Sequence, residues 1–287
     1  MCAPFRLRGK APGACAIEAA ARHRPVALGA NLFVRRILMQ FQTIGRKIVR
    51  RSLPRNVQLW IQRKYLAHEI AHGRRRHSEM DYFSLLAQPG DTVFDVGANA
   101  GEYVFELSRL VGPTGKVFAF EPVAYNFSML MATINKARLR NVAPLKLALS
   151  DRTGFRSMVI PDSSSGHHLL AKFAVEWESG RQETVQAETL DNLIATGRVT
   201  SPTFVKCDVE GSAGEVIRGA TALIRDHKPA WLIEIWYQHE FELMSDIGYR
   251  AFACSSPFAP ATHFDSAVAT DYFFLPEHMV GRFSHVI

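Results

Sequence analysis

What this chain has little of narrows its reading first. No run of 18 or more apolar residues occurs among its 287 residues, which argues against a membrane-spanning helix. The N-terminus has no continuous apolar stretch of signal-peptide type. Only four cysteines are present, Cys2, Cys15, Cys207 and Cys254, with no CxxC pair, so a cysteine-based zinc site is disfavoured and a reducing, cytoplasmic setting is expected. Acids are scarce at one end: residues 1–80 hold 17 Lys/Arg against Glu18, Glu69 and Glu79, while the other 207 residues hold 17 Lys/Arg against 24 Asp/Glu. A basic arm therefore precedes a mildly acidic body. With 47% hydrophobic residues, that body can bury a large core.

Residues 1–31 are rich in Ala, Arg, Gly and Pro without sustained periodicity. They read as disordered, or as sequence upstream of a true start, since Met39 opens a more ordinary beginning. Residues 32–78 form a basic helical arm: LFVRRILMQFQTIGRKIVRR is a basic amphipathic pattern, and after Pro54 NVQLWIQRKYLAHEI is a second helix. From residue 79 to 287 the rhythm is strand, turn, helix. VFDVG, KVFAFEP, VAPLKLALSD, TFVKCDVEG and WLIEIW are strands, and EYVFELSRLV a helix. Phe127, Leu130, Met131 and Ile134 mark the helical spacing i, i+3, i+4, i+7. Val216, Ile217, Ala220, Leu223 and Ile224 mark a further helix. Residues 155–190 interrupt with short strands at 155–160 and 183–188 around a polar SSSGHH loop, and two more strands follow around YRAFAC and DYFFLP. Repeated strand–helix units imply an α/β fold, a doubly wound, mostly parallel Rossmann-like sheet with helices on both faces.

The stretch DTVFDVGANAGE ends a buried strand on Asp95 and enters a helix through Gly97, Asn99 and Gly101. In an open α/β sheet, ligands lie beyond the carboxyl ends of strands. Glycines there admit a ligand close to the backbone, and the helix start offers free N–H groups. The dinucleotide pattern GxGxxG fails, because its third and sixth positions are Asn99 and Glu102. Glu121, ending the second strand in FAFEP, can accept two hydroxyl hydrogen bonds from a ribose diol. The site thus suits a nucleoside without a pyrophosphate. The competing readings are a tight strand-to-helix turn for the Asp95 stretch and a helix cap for Glu121.

With DVGANAGEY, FEP, LALSD, ETLDNL, FVKCDVEGSAGEVIRGA, WLIEIW and YFFLP in place, residues 80–276 resemble the class I S-adenosylmethionine-dependent methyltransferases and, within them, the FkbM family. The resemblance implies S-adenosylmethionine as cofactor, with Asp95, Gly97, Asn99 and Gly101 shaping the methionine pocket, Glu121 on the ribose and Asp151 near the adenine. SDRTG also makes Asp151 a plain turn former. The resemblance further implies methyl transfer, commonly to a hydroxyl of a sugar or natural product.

Methyl transfer to a hydroxyl needs in-line positioning and a base or metal for the proton. Asp208 and Glu210 close the fourth strand, Glu234 lies in the fifth, and His239 follows. If the strand continues that far, alternation puts Asp208 and Glu210 on one side, with Glu234 as their neighbour. These carboxylates could hold Mg²⁺, or one could act as base with His239 as its partner, and the sequence leaves both open. Structural roles compete: helix caps for Asp208 and Glu210, a satisfied core acid for Glu234, a surface position for His239, and exposed loop histidines for His167 and His168. The arm reads as helices covering the sheet, or as a peripheral contact with anionic membrane at the inner face. Nucleic acid is not expected, since no binding motif accompanies the charge. Rival functions are a catalytically silent nucleoside-binding module and a membrane interaction protein acting through the arm.

Overall fold

In a computed structural model of the chain, the described residues are 53–160, 172–173, 180–255 and 258–284. The chain divides after Pro54, and the compact unit Arg55–Ile287 is the one described below. The first predicted arm helix and the SSSGHH loop, with His167 and His168, lie outside the described residues.

The central strands are mostly apolar and buried on both faces, as parallel strands under two helical layers must be, with Asp95 and Lys206 as buried charged exceptions. In chain order they are β1 (Thr92–Val96), β2 (Lys116–Phe120) and β3 (Val142–Leu145). β4 (Ala148–Leu149), β5 (Gly154–Ile160), β6 (Lys172–Phe173) and β7 (Arg181–Glu188) follow, then β8 (Phe204–Cys207), β9 (Ala230–Glu234), β10 (Arg250–Ala253), β11 (Ala259–Ala261) and β12 (Asp271–Leu275). The main sheet runs β11-β10-β12-β9-β8-β1-β2-β3. β3, β2, β1, β8 and β9 are parallel neighbours, and β12 enters antiparallel to both β9 and β10. The sheet is therefore the mostly parallel, doubly wound one expected from the sequence.

Alternation along a strand sends neighbours to opposite cores. Phe94 and Ile233 join a cluster with Val216, Ile217 and Phe241. Val93 and Leu232 join another with Val104, Leu107 and Leu130. The second face is covered by α3 (Glu102–Val111) and α4 (Ala124–Ala137), which follow α1 (Arg55–Ala71) and the short α2 (Phe83–Leu86). α1 is the second predicted arm helix. It lies on α3 and α4 with Ile70 buried against Ala100 and Met129, and Leu66, Phe105 and Tyr125 around them.

Two segments differ from the sequence reading. VAPLKLALSD is not one strand: β3 stays in the main sheet, while β4 joins a second sheet, β4-β7-β5-β6, whose β5 and β7 pair antiparallel. The helix expected to run from Val216 through Ile224 breaks into α6 (Ala213–Arg218) and α7 (Thr221–His227), after α5 (Leu190–Ala195). Gly219 at the break lies so close to this small sheet that a Cβ would stand 2.0 Å from the Ser150 carbonyl oxygen. α8 (Gln238–Ser245) and α9 (Glu277–Val280) complete the set used below.

Candidate functional site

The strand order reverses between β1 and β8, and two hollows open beyond the carboxyl ends of the strands there, as expected at a switch point. The turn after β1 is held from below: Gly97 N–H and Ala98 N–H donate to the Phe120 carbonyl at 3.0 and 2.9 Å. Gly97 has φ +76°, and a Cβ there would lie 1.8 Å from the Asp208 carbonyl oxygen. Only glycine lets the β1 and β8 turns meet so closely. Asn99 takes φ 47°, a left-handed conformation that a non-glycine residue adopts at some cost.

The first hollow, about 130 Å³, lies over β1, β2 and the start of the small sheet, with Leu147, Leu149, Met158 and Val123 as apolar walls. Glu121 stands in it, buried, with Oε2 accepting from Asn99 N–H and Oε1 from Val123 N–H, both at 2.9 Å. Burial pushes its carboxyl up to about 7, with the backbone donors pulling the other way. Val123 is the N-cap position of α4, so Glu121 does tie the helix start. Each carboxylate oxygen nevertheless keeps acceptor capacity for a further donor. Asn99 Oδ1 is buried without a hydrogen-bond partner among the described residues.

The second hollow, about 410 Å³, shares Gly97, Asn99 and Asp208 with the first and runs on to Glu234 and Asp271. Its floor is a buried charge cluster. Lys206 Nζ lies 3.2 Å from Asp208 Oδ2, 3.5 Å from Asp95 Oδ1 and 4.3 Å from the centre of the Tyr103 ring. Burial alone would lower the Lys206 ammonium, but Asp208 and Asp95 outweigh it and hold the amine protonated. One lysine serves two carboxylates unequally. Burial raises both, yet Lys206 and a Glu234 hydrogen bond hold Asp208 below the usual range. Asp95, fully buried and farther from the lysine, stays raised. Glu234 is pushed up to about 8 by burial and by the Asp208 charge.

Asp208, Glu210 and Glu234 each offer an oxygen within 4.8 Å of the others. The expected strand alternation is not what brings them together. β8 ends at Cys207, and Glu210 sits in a turn at φ 49°. Oε2 of Glu234 is buried without a hydrogen-bond partner among the described residues.

The turn residues Gly97 and Asn99 thus join Glu121, Asp208 and Glu210 around the first hollow, with Glu234 in the second. Asp95 lies beneath on Lys206, and Gly101 is the N-cap of α3 against Leu130. Two further candidate residues are not in the lining of either hollow. Asp151 is not in the wall of the hollow: it faces Arg152, Arg156 and Arg218 at 3.5, 4.0 and 3.8 Å, because the chain crosses there into the small sheet. His239 is exposed on α8, its ring stacked on Tyr237. The next residue, Glu240, points inward instead, accepting from Trp236, Tyr237 and Gly214 N–H groups.

The sequence reading passed over Lys206, although a lysine inside the apolar FVKC was itself a signal. It also missed Asp271, which sits directly across from Glu234 in the β9–β12 register. Burial and the charges of Glu79 and Asp208 push Asp271 up to about 6. Tyr103 donates to Glu79, and His77 Nε2 meets Glu102 Oε2 at 2.6 Å. Nothing local in the sequence marks these contacts.

Comparison with known proteins bears on this geometry. The methyltransferase FkbM domain matches residues 95–258. Hexuronic acid methyltransferase AglP of Haloferax volcanii is 33% identical over 157 residues, covering 53% of this chain and 61% of that protein. The 31-O-demethyl-FK506 methyltransferase FkbM of Streptomyces tacrolimicus is 27% identical over 158 residues, covering 46% and 60%. The chain thus spans about three fifths of the length of these curated relatives. The crystal structure of methyltransferase FkbM from Methylobacillus flagellatus superposes at TM-score 0.45 with 16% identity, covering 85% of this chain and 60% of that one. With more than half of its length matched by that domain, the chain belongs to the FkbM methyltransferase family.

Proposed function

We propose that this chain is an S-adenosylmethionine-dependent O-methyltransferase acting on a hydroxyl of a glycan or small natural product. One observation carries the reading: two hollows of opposite character meet at Asn99 and Asp208. The residues present suit that cofactor. The apolar walls of the first hollow fit a purine, Glu121 has acceptor capacity left for a ribose diol, and Asn99 Oδ1 is a buried acceptor awaiting a donor. When bound, S-adenosylmethionine supplies a methyl group carried on a sulfonium. One relative is named for a hexuronic acid and the other for 31-O-demethyl-FK506, which supports an acceptor of glycan or natural-product class.

The chain's own part is positioning and proton transfer. Asp208, Glu210 and Glu234 accept the acceptor's hydroxyl, fix its oxygen in line with the methyl group, and one of them takes the proton as the new O–C bond forms. Glu234, with an unpartnered oxygen, is the residue assigned to that step. A second reading comes from the spacing of the three carboxylates: they suit Mg²⁺, a hard cation that prefers oxygen ligands and would acidify the hydroxyl instead.

Incubation with radiolabelled S-adenosylmethionine and a panel of hydroxylated acceptors tests the proposal. Transfer of label to an alkali-stable ether product is expected, and loss of activity in EDTA with recovery in Mg²⁺ selects the metal version. Binding without transfer to any acceptor favours the silent nucleoside-binding module.

A further inference from the structure

Exposed large apolar side chains are few among the described residues, and two of them are consecutive: Trp236 and Tyr237, 42% and 51% exposed. They stand between β9 and α8, just past Glu234, and leave in water apolar surface that folding has not used. Their backbone is pinned. The Trp236 and Tyr237 N–H groups donate to Glu240 Oε2 at 3.0 and 3.2 Å, and Oε1 of the same buried carboxylate accepts from Gly214 N–H of α6 at 3.2 Å. The His239 ring, nearly parallel at 5.5 Å and 17°, braces Tyr237. Both aromatic rings lie against the turn that carries Glu210: a Cβ on Gly211 would stand 3.5 Å from the Tyr237 ring and 3.7 Å from the Trp236 ring. Trp236 also reaches Glu234, where its side-chain hydrogen bond opposes the rise that burial and the Asp208 charge cause. The pair therefore borders the three carboxylates on their outer side, beyond the lining of either hollow.

We propose that Trp236 and Tyr237 form a stacking platform for the methyl acceptor, and that the acceptor is a ring sugar, a hexopyranoside that presents one hydroxyl to Asp208, Glu210 and Glu234. A pyranose has an apolar C–H face and a rim of hydroxyls. The negative face of an aromatic ring suits polarised C–H groups, and ionised carboxylates accept from hydroxyls. The site offers the two side by side, on a backbone that Glu240 holds in place before any ligand arrives. An acyclic polyol carries the same hydroxyls without a flat apolar face, so it should be the poorer acceptor. The inference rests on the methyl-transfer reading above and narrows its acceptor from a glycan or natural product to a pyranose ring.

The test uses the full chain with Trp236→Ala and Tyr237→Ala, and with Trp236→Phe and Tyr237→Phe as variants that keep a ring. Both positions are exposed, so all four are expected to fold and to bind S-adenosylmethionine like wild type, which circular dichroism and calorimetry check. Methyl β-galactopyranoside, methyl β-glucopyranoside and methyl α-mannopyranoside are the acceptors, and galactitol is the ring-free control. Wild type should methylate at least one pyranoside with a higher kcat/KM than galactitol. Each alanine variant should raise KM for that sugar by roughly tenfold or more, the scale of losing a large side chain's apolar contact, and each phenylalanine variant should restore it. Saturation-transfer NMR with S-adenosylhomocysteine bound should show transfer from the protein to the ring C–H protons of the sugar, lost in the alanine variants. Alanine variants with wild-type KM, a fall in kcat alone, or no saturation transfer to any pyranoside overturn the platform and leave methyl transfer standing. A wild-type protein that binds no S-adenosylmethionine overturns the functional reading and the platform together.

Discussion

The two hollows that meet at Asn99 satisfy their polar groups in opposite ways. At the far end of the first, Glu121 is wrapped by its own neighbourhood and takes the Asn99 and Val123 amides. In the second, Glu79, Glu102, Asp208, Glu234 and Asp271 come from separate segments of the chain to line one hollow, and Lys206 pairs with Asp208 and with Asp95 beneath it. A polar group satisfied by backbone is built into the fold, and a ligand adds to it. Carboxylates crowded against each other lack a counter-charge or a proton, and a ligand, metal or acceptor relieves them. On the proposed reading, the Glu121 end of the first hollow binds, and the Asp208, Glu210 and Glu234 cluster where the hollows meet reacts.

The comparison can be broken most severely at Lys206. Lys206→Met leaves the buried Asp95 and the partly exposed Asp208 without their cation, and removing one partner of a buried ion pair typically costs about 3–5 kcal/mol. Urea denaturation should show a loss of that order, with part recovered in the double variant Lys206→Met/Asp95→Asn. A variant as stable as wild type would mean that the lysine is not what holds the two carboxylates.

Next in size is the separation of reaction from binding. Glu234→Gln and Glu210→Gln should each cut turnover by roughly 10²–10⁴-fold, the range of a general acid–base contribution, with cofactor affinity held within a few-fold. Full activity in both would place the chemistry elsewhere. Loss of cofactor affinity in both would merge the two hollows into one function.

A smaller effect tests the state of Glu121. Its folded carboxyl lies at about 7 against an ordinary 4.5, so the group is raised by folding. A raised acid contributes stability that is fully present below its unfolded value and is lost as pH rises through the folded one. Between pH 4.5 and 7 the ligand-free wild type should therefore lose up to about 3 kcal/mol relative to Glu121→Gln. Parallel stability curves for the two proteins would show that the backbone donors already offset burial in full.

The arm gives the mildest contrast. Residues 1–54 hold 11 Lys/Arg and one acid, and basic residues near an anionic bilayer contribute about 1 kcal/mol each, reduced by salt. The full chain should co-sediment with anionic vesicles at low salt, and a chain starting at Arg55 should stay folded and lose them. A start at Ser78 should be worse, because it strips Ile70 from Ala100 and Met129. Ile70→Ala in the full chain should cost about 2–5 kcal/mol. Vesicle binding by the Arg55 chain would move the contact from the arm to the body.

The same contrast explains what could be read from the sequence. The parallel sheet and the first hollow were legible because their signals are local: apolar runs fix strands, Gly97 and Asn99 mark the turn, and Glu121 ends its strand. The break at Gly219 was not, because its cause is the Ser150 carbonyl, just past the end of β4. The family resemblance implies Asp151 near the adenine while SDRTG also reads as a turn, and in the structure this residue faces the guanidinium groups of three arginines. Asp208, Glu210 and Glu234 were found as strand-end acids, yet the turn at Glu210 that gathers them was not. Asp271, Glu79 and His77 reach the cleft through tertiary pairing, which leaves no spacing in the chain.

The most direct test is titration calorimetry of S-adenosylmethionine into wild type, Glu121→Ala and Glu234→Gln, with NAD as the control ligand. One cofactor per wild-type chain is expected, weakened by roughly 1–3 kcal/mol in Glu121→Ala and little changed in Glu234→Gln, with no tight binding of NAD. Tight NAD binding, or unchanged S-adenosylmethionine affinity in a folded Glu121→Ala protein, would contradict the account.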